Sequence, residues 1–240
     1  MAAIGTLGNA TGADTAWRLC AAAMAWLSAV PAAAGGGAHV VDDDAVLDAG
    51  TCHSEKWLTL SGAHNGLVTI APACTFKALP GVEFAAAVQH IAGPDGSTTT
   101  LTPAAKWNLR PDTEAPVGVA LSGAMVWNTA EARVEALQFN LPISVRVSER
   151  LTLHSNLGWF VTPGSDDRHA LFWGAQAEYF MQPDLVLMGE VFGQDRGNPG
   201  AQGGLRWVTD RGRTDVDLLA GHNIDGSGAH SFTLGVTIRR

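Results

Sequence analysis

The sequence predicts an all-β protein: a closed, antiparallel up-and-down transmembrane β-barrel of about 12 strands. Three observations predict it. The chain begins with the pattern of an export signal, almost everything after Cys52 alternates with a period of two, and charge is scarce. Only 16% of the 240 residues are Asp, Glu, Lys or Arg, against roughly 25% in ordinary soluble domains. The 46% hydrophobic content excludes a disordered chain. A net charge of −8 argues against a nucleic-acid partner.

Residues 1–34 read as a signal peptide. Arg18 precedes the apolar run Leu19 to Val30, then Pro31 and Ala32-Ala33-Ala34, the order of a positive region, a short apolar core and a small-residue cleavage site. The run is too short for a spanning helix, which needs about 20 residues. The mature chain is expected to begin near Gly35, with residues 35–51 as a solvated periplasmic N-terminal tail. The acidic run Asp42-Asp43-Asp44 lies in it and lacks the spaced oxygen ligands of a calcium loop.

The barrel domain spans residues 52–240. Cleavage leaves Cys52 and Cys74, an even count that in an exported chain points to a disulfide. Pairing 54–61 with 66–74 around the turn at 62–66 sets the two cysteines opposite each other at the open end of the first hairpin. A metal site using Cys52, His53, His64 and Cys74 is disfavoured, because His64 sits at the far turn, about 30 Å away.

The remaining strands follow the same rule. Phe232-Leu234-Val236-Ile238 alternates with smaller or polar residues, as do Leu137 to Val145, Leu151 to Trp159 and Leu171 to Tyr179. Strands are expected near 54–61, 66–74, 81–91, 99–109, 116–127, 133–147, 150–161, 169–181, 185–193, 200–209, 214–222 and 230–239. Tight turns such as 182–184 contrast with longer Gly- and Asp-rich loops such as 162–168 and 223–229, as outer-membrane barrels require. Gly118, Ala120, Ser122 and Ala124 oppose Val119, Leu121 and Met125, a strand that suits a wall between lipid and a crowded lumen.

Alternation alone does not say which face is inside. The polar face would line the lumen with Lys106, Arg146, His154, Gln176, Glu178, Glu190, Arg206, Asp215 and Asp217. Trp57, Trp107, Trp127, Trp159, Trp173, Tyr179 and Trp207 would form interfacial girdles. The final residues, Thr237-Ile238-Arg239-Arg240, lack the terminal aromatic usual in such barrels.

The segment from Val40 through Cys74 and the hairpins that follow resemble bacterial outer-membrane barrels of the transporter or phenol-degradation meta-pathway kind. The resemblance covers roughly residues 40–240 and rests on hairpin pattern and the early cysteine pair. It implies an outer-membrane barrel passing small, hydrophobic or aromatic solutes. Its partners would be outer-membrane lipid and lipopolysaccharide, the barrel-assembly machinery and those solutes.

No nucleophile elbow, zinc-protease motif or phosphate loop occurs, so no cofactor, metal or catalytic residue is assigned. In His154-Ser155-Asn156 the His and Ser point to opposite faces of a strand. The expected function is a pore or transporter without covalent catalysis. The alternatives are a secreted or periplasmic soluble β-sandwich that binds a partner, and an outer-membrane enzyme, which would need a Ser–His pair on one face.

Overall fold

The computed structural model describes residues 38–111, 116–166 and 168–240. The expected signal peptide and cleavage site lie outside the described residues, as does Asp167. Twelve strands occur among the described residues: β1 (Cys52–Ser61), β2 (Asn65–Thr75), β3 (Val82–Gly93), β4 (Gly96–Arg110), β5 (Val117–Asn128), β6 (Arg133–Arg146), β7 (Leu151–Val161), β8 (His169–Gln182), β9 (Leu185–Gln194), β10 (Gly200–Thr209), β11 (Thr214–His222) and β12 (His230–Arg239). Each pairs antiparallel with its sequence neighbours, and β1 closes on β12 from His53↔Arg239 to Ser61↔Ser231. Closure leaves no unpaired edge, and it excludes the two-sheet sandwich.

The expected strand boundaries agree with these to within a few residues. The reason is visible in the burial pattern. Leu153, Trp173, Leu218 and Leu234 are 41%, 41%, 59% and 47% exposed, whereas Glu190 is 4% exposed. Apolar side chains face out and polar ones face in, the reverse of a soluble barrel. An outer wall of this kind is stable only where hydrocarbon replaces water. Lys56 also faces outward, near the terminal end of β1, where its stem can lie along the wall and its ammonium reach the interface.

The two rims differ. The chain's C-terminus and the short turns at 147–150 and 183–184 lie at one end, here the terminal rim; the loops at 162–168, 195–199 and 223–229 lie at the other, the loop rim. Trp127, Trp159 and Trp173 face outward near the loop rim, and Trp107, Tyr179 and Trp207 near the terminal rim. Trp57 is a correction. It is 7% exposed and packs inside the barrel against Ala71 and Ala87. Its parity, shared with Glu55 and Thr59, turns it inward whatever its distance from the strand end. The disulfide joins Cys52 to Cys74, directly paired in register at the terminal rim and turned to the outer face.

The largest departure concerns the tail. Residues 39–42 and Asp44 are buried: the segment before β1 is not solvated but runs through the lumen. A barrel of this size encloses more space than its own small inward side chains fill, and the segment occupies it.

The occluded lumen as the candidate functional site

The wall holds the segment through its backbone. Both carboxylate oxygens of Glu190 on β9 accept consecutive N–H groups, from Val40 at 3.0 Å and Val41 at 2.8 Å. Asn156 on β7 accepts from Asp42 N–H (2.8 Å) and donates to Asp42 C=O (2.7 Å), which reproduces a strand-to-strand exchange with one side chain. Gln202 donates to Ala38 C=O, Asn108 to Asp44 C=O, and Glu83 accepts from Leu47 N–H. Buried backbone groups that cannot reach water need such partners, so long amide and carboxylate side chains stand where the segment passes.

Charge adds a second clamp. Lys106 on β4 is wholly buried, and its Nζ donates to Asp42 Oδ1 at 2.8 Å and Asp43 Oδ1 at 3.0 Å. Its cross-strand neighbour is Glu83. The acidic run that sequence placed in solvent is therefore the counter-ion of a lumen lysine.

Two glycines make room. A Cβ on Gly118 would lie 2.2 Å from Asp44 Oδ2, and one on Gly174 would lie 2.7 Å from Val41 Cγ2. Both are inward positions, on β5 and β8. Toward the loop rim, Val40 and Val41 pack on Phe172 and Phe192, flanked by Phe160 and Ile224. Phe160 meets Phe172 edge-to-face with centroids 5.6 Å apart, a favoured aromatic geometry. The lumen thus has an apolar mouth above a polar throat.

All nine expected lumen residues occupy inward positions of their strands. Lys106, Gln176 and Glu190 converge on the segment, with Gln176 on His39. Arg206 instead bonds Asp217 through two nitrogens at 2.8 and 3.1 Å, with Glu178 at 3.8 Å, and Asp215 pairs with Arg239. Arg146 ends β6 and is exposed at the terminal rim. In the loop after β11, Asp225 is partly desolvated, yet it accepts from Ser227 and from Ser61 at 2.9 Å, and these bonds hold its carboxyl below the usual range.

A same-face Ser–His pair does exist, across strands rather than along one. Ser144 and His154 are directly opposed on β6 and β7, with Oγ 2.8 Å from Nδ1. Glu178 lies 3.8 Å from His154 Nε2, beyond hydrogen-bond reach. The hydroxyl is wholly buried and also accepts Asp44 N–H at 3.1 Å. In this arrangement Ser144 serves as a clamp on the segment, while Ser155 faces outward. Ser144, Glu83, Asn108 and Gln202 belong to the site although sequence reasoning did not select them. The available signal was the line of small inward residues on β5, too thin to fill a lumen alone.

A closed twelve-stranded barrel, apolar outside and occupied by its own N-terminal segment, has the architecture of outer-membrane channels. The chain belongs to the family described as Uncharacterised conserved protein UCP029691, whose model matches residues 22–240. No curated protein matches it. Among solved structures it is similar to the KdgM porin, with a TM-score of 0.62, 9% identity, and coverage of 78% of this chain and 98% of that one. The NanC porin gives a TM-score of 0.59 at 8% identity over 78% and 98% of the two chains. The COG4313 outer membrane channel from Pseudomonas putida F1 gives 0.59 at 9% identity over 82% and 98%. At these identities the likeness establishes the fold.

Proposed function

We propose that this protein is an outer-membrane channel for small solutes, kept closed by residues 38–47 and opened when that segment yields. One observation carries the reading: an acidic, backbone-clamped segment fills the lumen of a barrel whose outside is suited to lipid. A purely structural barrel could fill its interior from its own walls, whereas a separate segment that precedes β1 and belongs to no strand can move without unfolding the wall. The segment's clamps are separate side-chain bonds, each worth about 0.5–1.5 kcal/mol net between neutral groups and about 1.5–3 kcal/mol where Glu190, Glu83 or Lys106 takes part, so they can be released in steps.

The apolar mouth formed by Phe160, Phe172 and Phe192 supports solutes with an aromatic or aliphatic portion. A ring entering there would exchange contacts now made by Val40 and Val41. The reading includes no covalent chemistry, with Ser144 held against the segment. KdgM has been solved in complex with oligogalacturonate; the apolar mouth and acidic throat of this lumen favour a different cargo.

Planar-bilayer recording of the intact chain and of a variant lacking residues 38–47 tests the proposal. The truncated barrel should conduct several-fold more than the intact one. Equal conductance would show that the segment is no plug, and silence from both would leave a structural barrel.

A further inference from the structure

The lumen carries a marked excess of negative charge. Among the described residues, Glu55, Glu83, Glu178, Glu190, Asp215 and Asp217 come from the wall and Asp42, Asp43 and Asp44 from the inner segment, nine carboxylates together. Opposing them among the described residues are Lys106, Arg206, Arg239 and, at the terminal rim, Arg146, four cations. Counting His39, His53 and His154 as fully protonated brings the positive side only to seven.

Local geometry points the same way. Among the described residues three buried carboxylate oxygens have no hydrogen-bond partner: Asp42 Oδ2, Glu83 Oε1 and Asp215 Oδ1. Their residues are 0%, 1% and 3% exposed, and they lie around the throat between the apolar mouth and the terminal rim. A buried carboxylate oxygen without a donor is costly. A passing cation or neutral hydrogen-bond donor would satisfy it, whereas an anion would meet uncompensated repulsion in a confined, low-dielectric passage.

We infer that this lumen selects solute charge: it passes neutral and cationic small molecules and rejects carboxylated ones. The inference rests on the channel reading above and adds the class of cargo. The inner segment supplies three of the nine carboxylates, so it is part of the charge filter as well as the obstruction. Removing it should raise flux and weaken discrimination together.

Reversal potentials in a potassium chloride gradient test the sign. The intact chain should favour potassium over chloride by about threefold or more, and the variant lacking residues 38–47 should favour it less. Glu83→Gln should lower the preference. Arg239→Gln, at the terminal rim where the guanidinium bonds Asp215 and the Gly212 carbonyl and not the segment, should raise it and keeps the test available in a full-length barrel if the truncated chain fails to fold. Liposome swelling with glucosamine, glucose and glucuronate, which differ in charge at similar size, provides the second readout. Chloride preference, or glucuronate entering as fast as glucosamine, overturns charge selection while leaving a channel intact. Absence of both current and swelling from the intact chain and from the variant lacking residues 38–47 overturns the channel reading and this inference with it.

Discussion

Two arcs of the same lumen are built differently. On β4 and on β6 to β9 the inward positions include long polar groups, Lys106, Gln138, Asn156, Gln176 and Glu190, with Ser144 between them, and β5 within that arc carries small residues. Along β12, β1 and β2, besides Trp57 and Glu55, they include short hydroxyls: Ser231, Thr233, Thr59 and Thr69. From the first arc Glu190, Asn156 and Ser144 reach the backbone of residues 40–44 and Lys106 reaches the carboxylates of Asp42 and Asp43; the second bonds chiefly sideways, as Thr59 does to Thr233 at 2.8 Å and Gln89 of β3 does to Thr69. One period-two code thus gives two surfaces, distinguished by side-chain reach. Where a wall must satisfy another strand's N–H and C=O groups, amides and carboxylates are needed; where it satisfies only itself, threonine suffices.

The largest break in this comparison should come at Lys106. Lys106→Met leaves Asp42, Asp43 and Glu83 facing one another without a counter-charge, a loss of about 3–5 kcal/mol for a buried pair deprived of one partner. The segment should leave the lumen, read as new protease cleavage within residues 38–47 while the barrel keeps its heat-modifiable gel mobility. Continued protection would show that the backbone bonds alone retain it.

Arg206 sharpens the comparison next, because its partners lie in the wall and not in the segment. Arg206→Ala strands Asp217, which is 1% exposed, and should cost about 2–3 kcal/mol. It should lower the urea midpoint in detergent more than Asp225→Ala in the β11–β12 loop, with no gain in protease access to residues 38–47. An unaltered midpoint would mean that the lumen is wet enough to screen the pair.

The smallest effect belongs to the hydroxyl arc. Thr59→Val leaves Thr233 Oγ without its partner and should cost about 1 kcal/mol, with conductance unchanged. A change in conductance there would place the passage along β12 to β2 instead of along the inner segment.

Much of this could be seen in the residues alone. Alternation located each strand, and the spacing of Cys52 and Cys74 about the turn at 62–66 gave the first hairpin's register, because antiparallel pairing is symmetric about its turn. The inward set from Lys106 to Asp217 followed from parity. Trp57 was misplaced because nearness to a strand end was weighed above parity. Ser144 and His154 were invisible as a pair because they are ten residues apart in sequence and become neighbours only through the β6–β7 register.

The order of residues by itself determined the strands and their two faces, since period-two geometry is a local property, and barrel closure turned the greasy face outward. Where residues 38–47 lie was decided only in three dimensions. An acidic run beside small residues carries no address of its own, and it becomes a plug because barrel closure brings Lys106, Asn156 and Glu190 around one cavity whose glycines leave room for it.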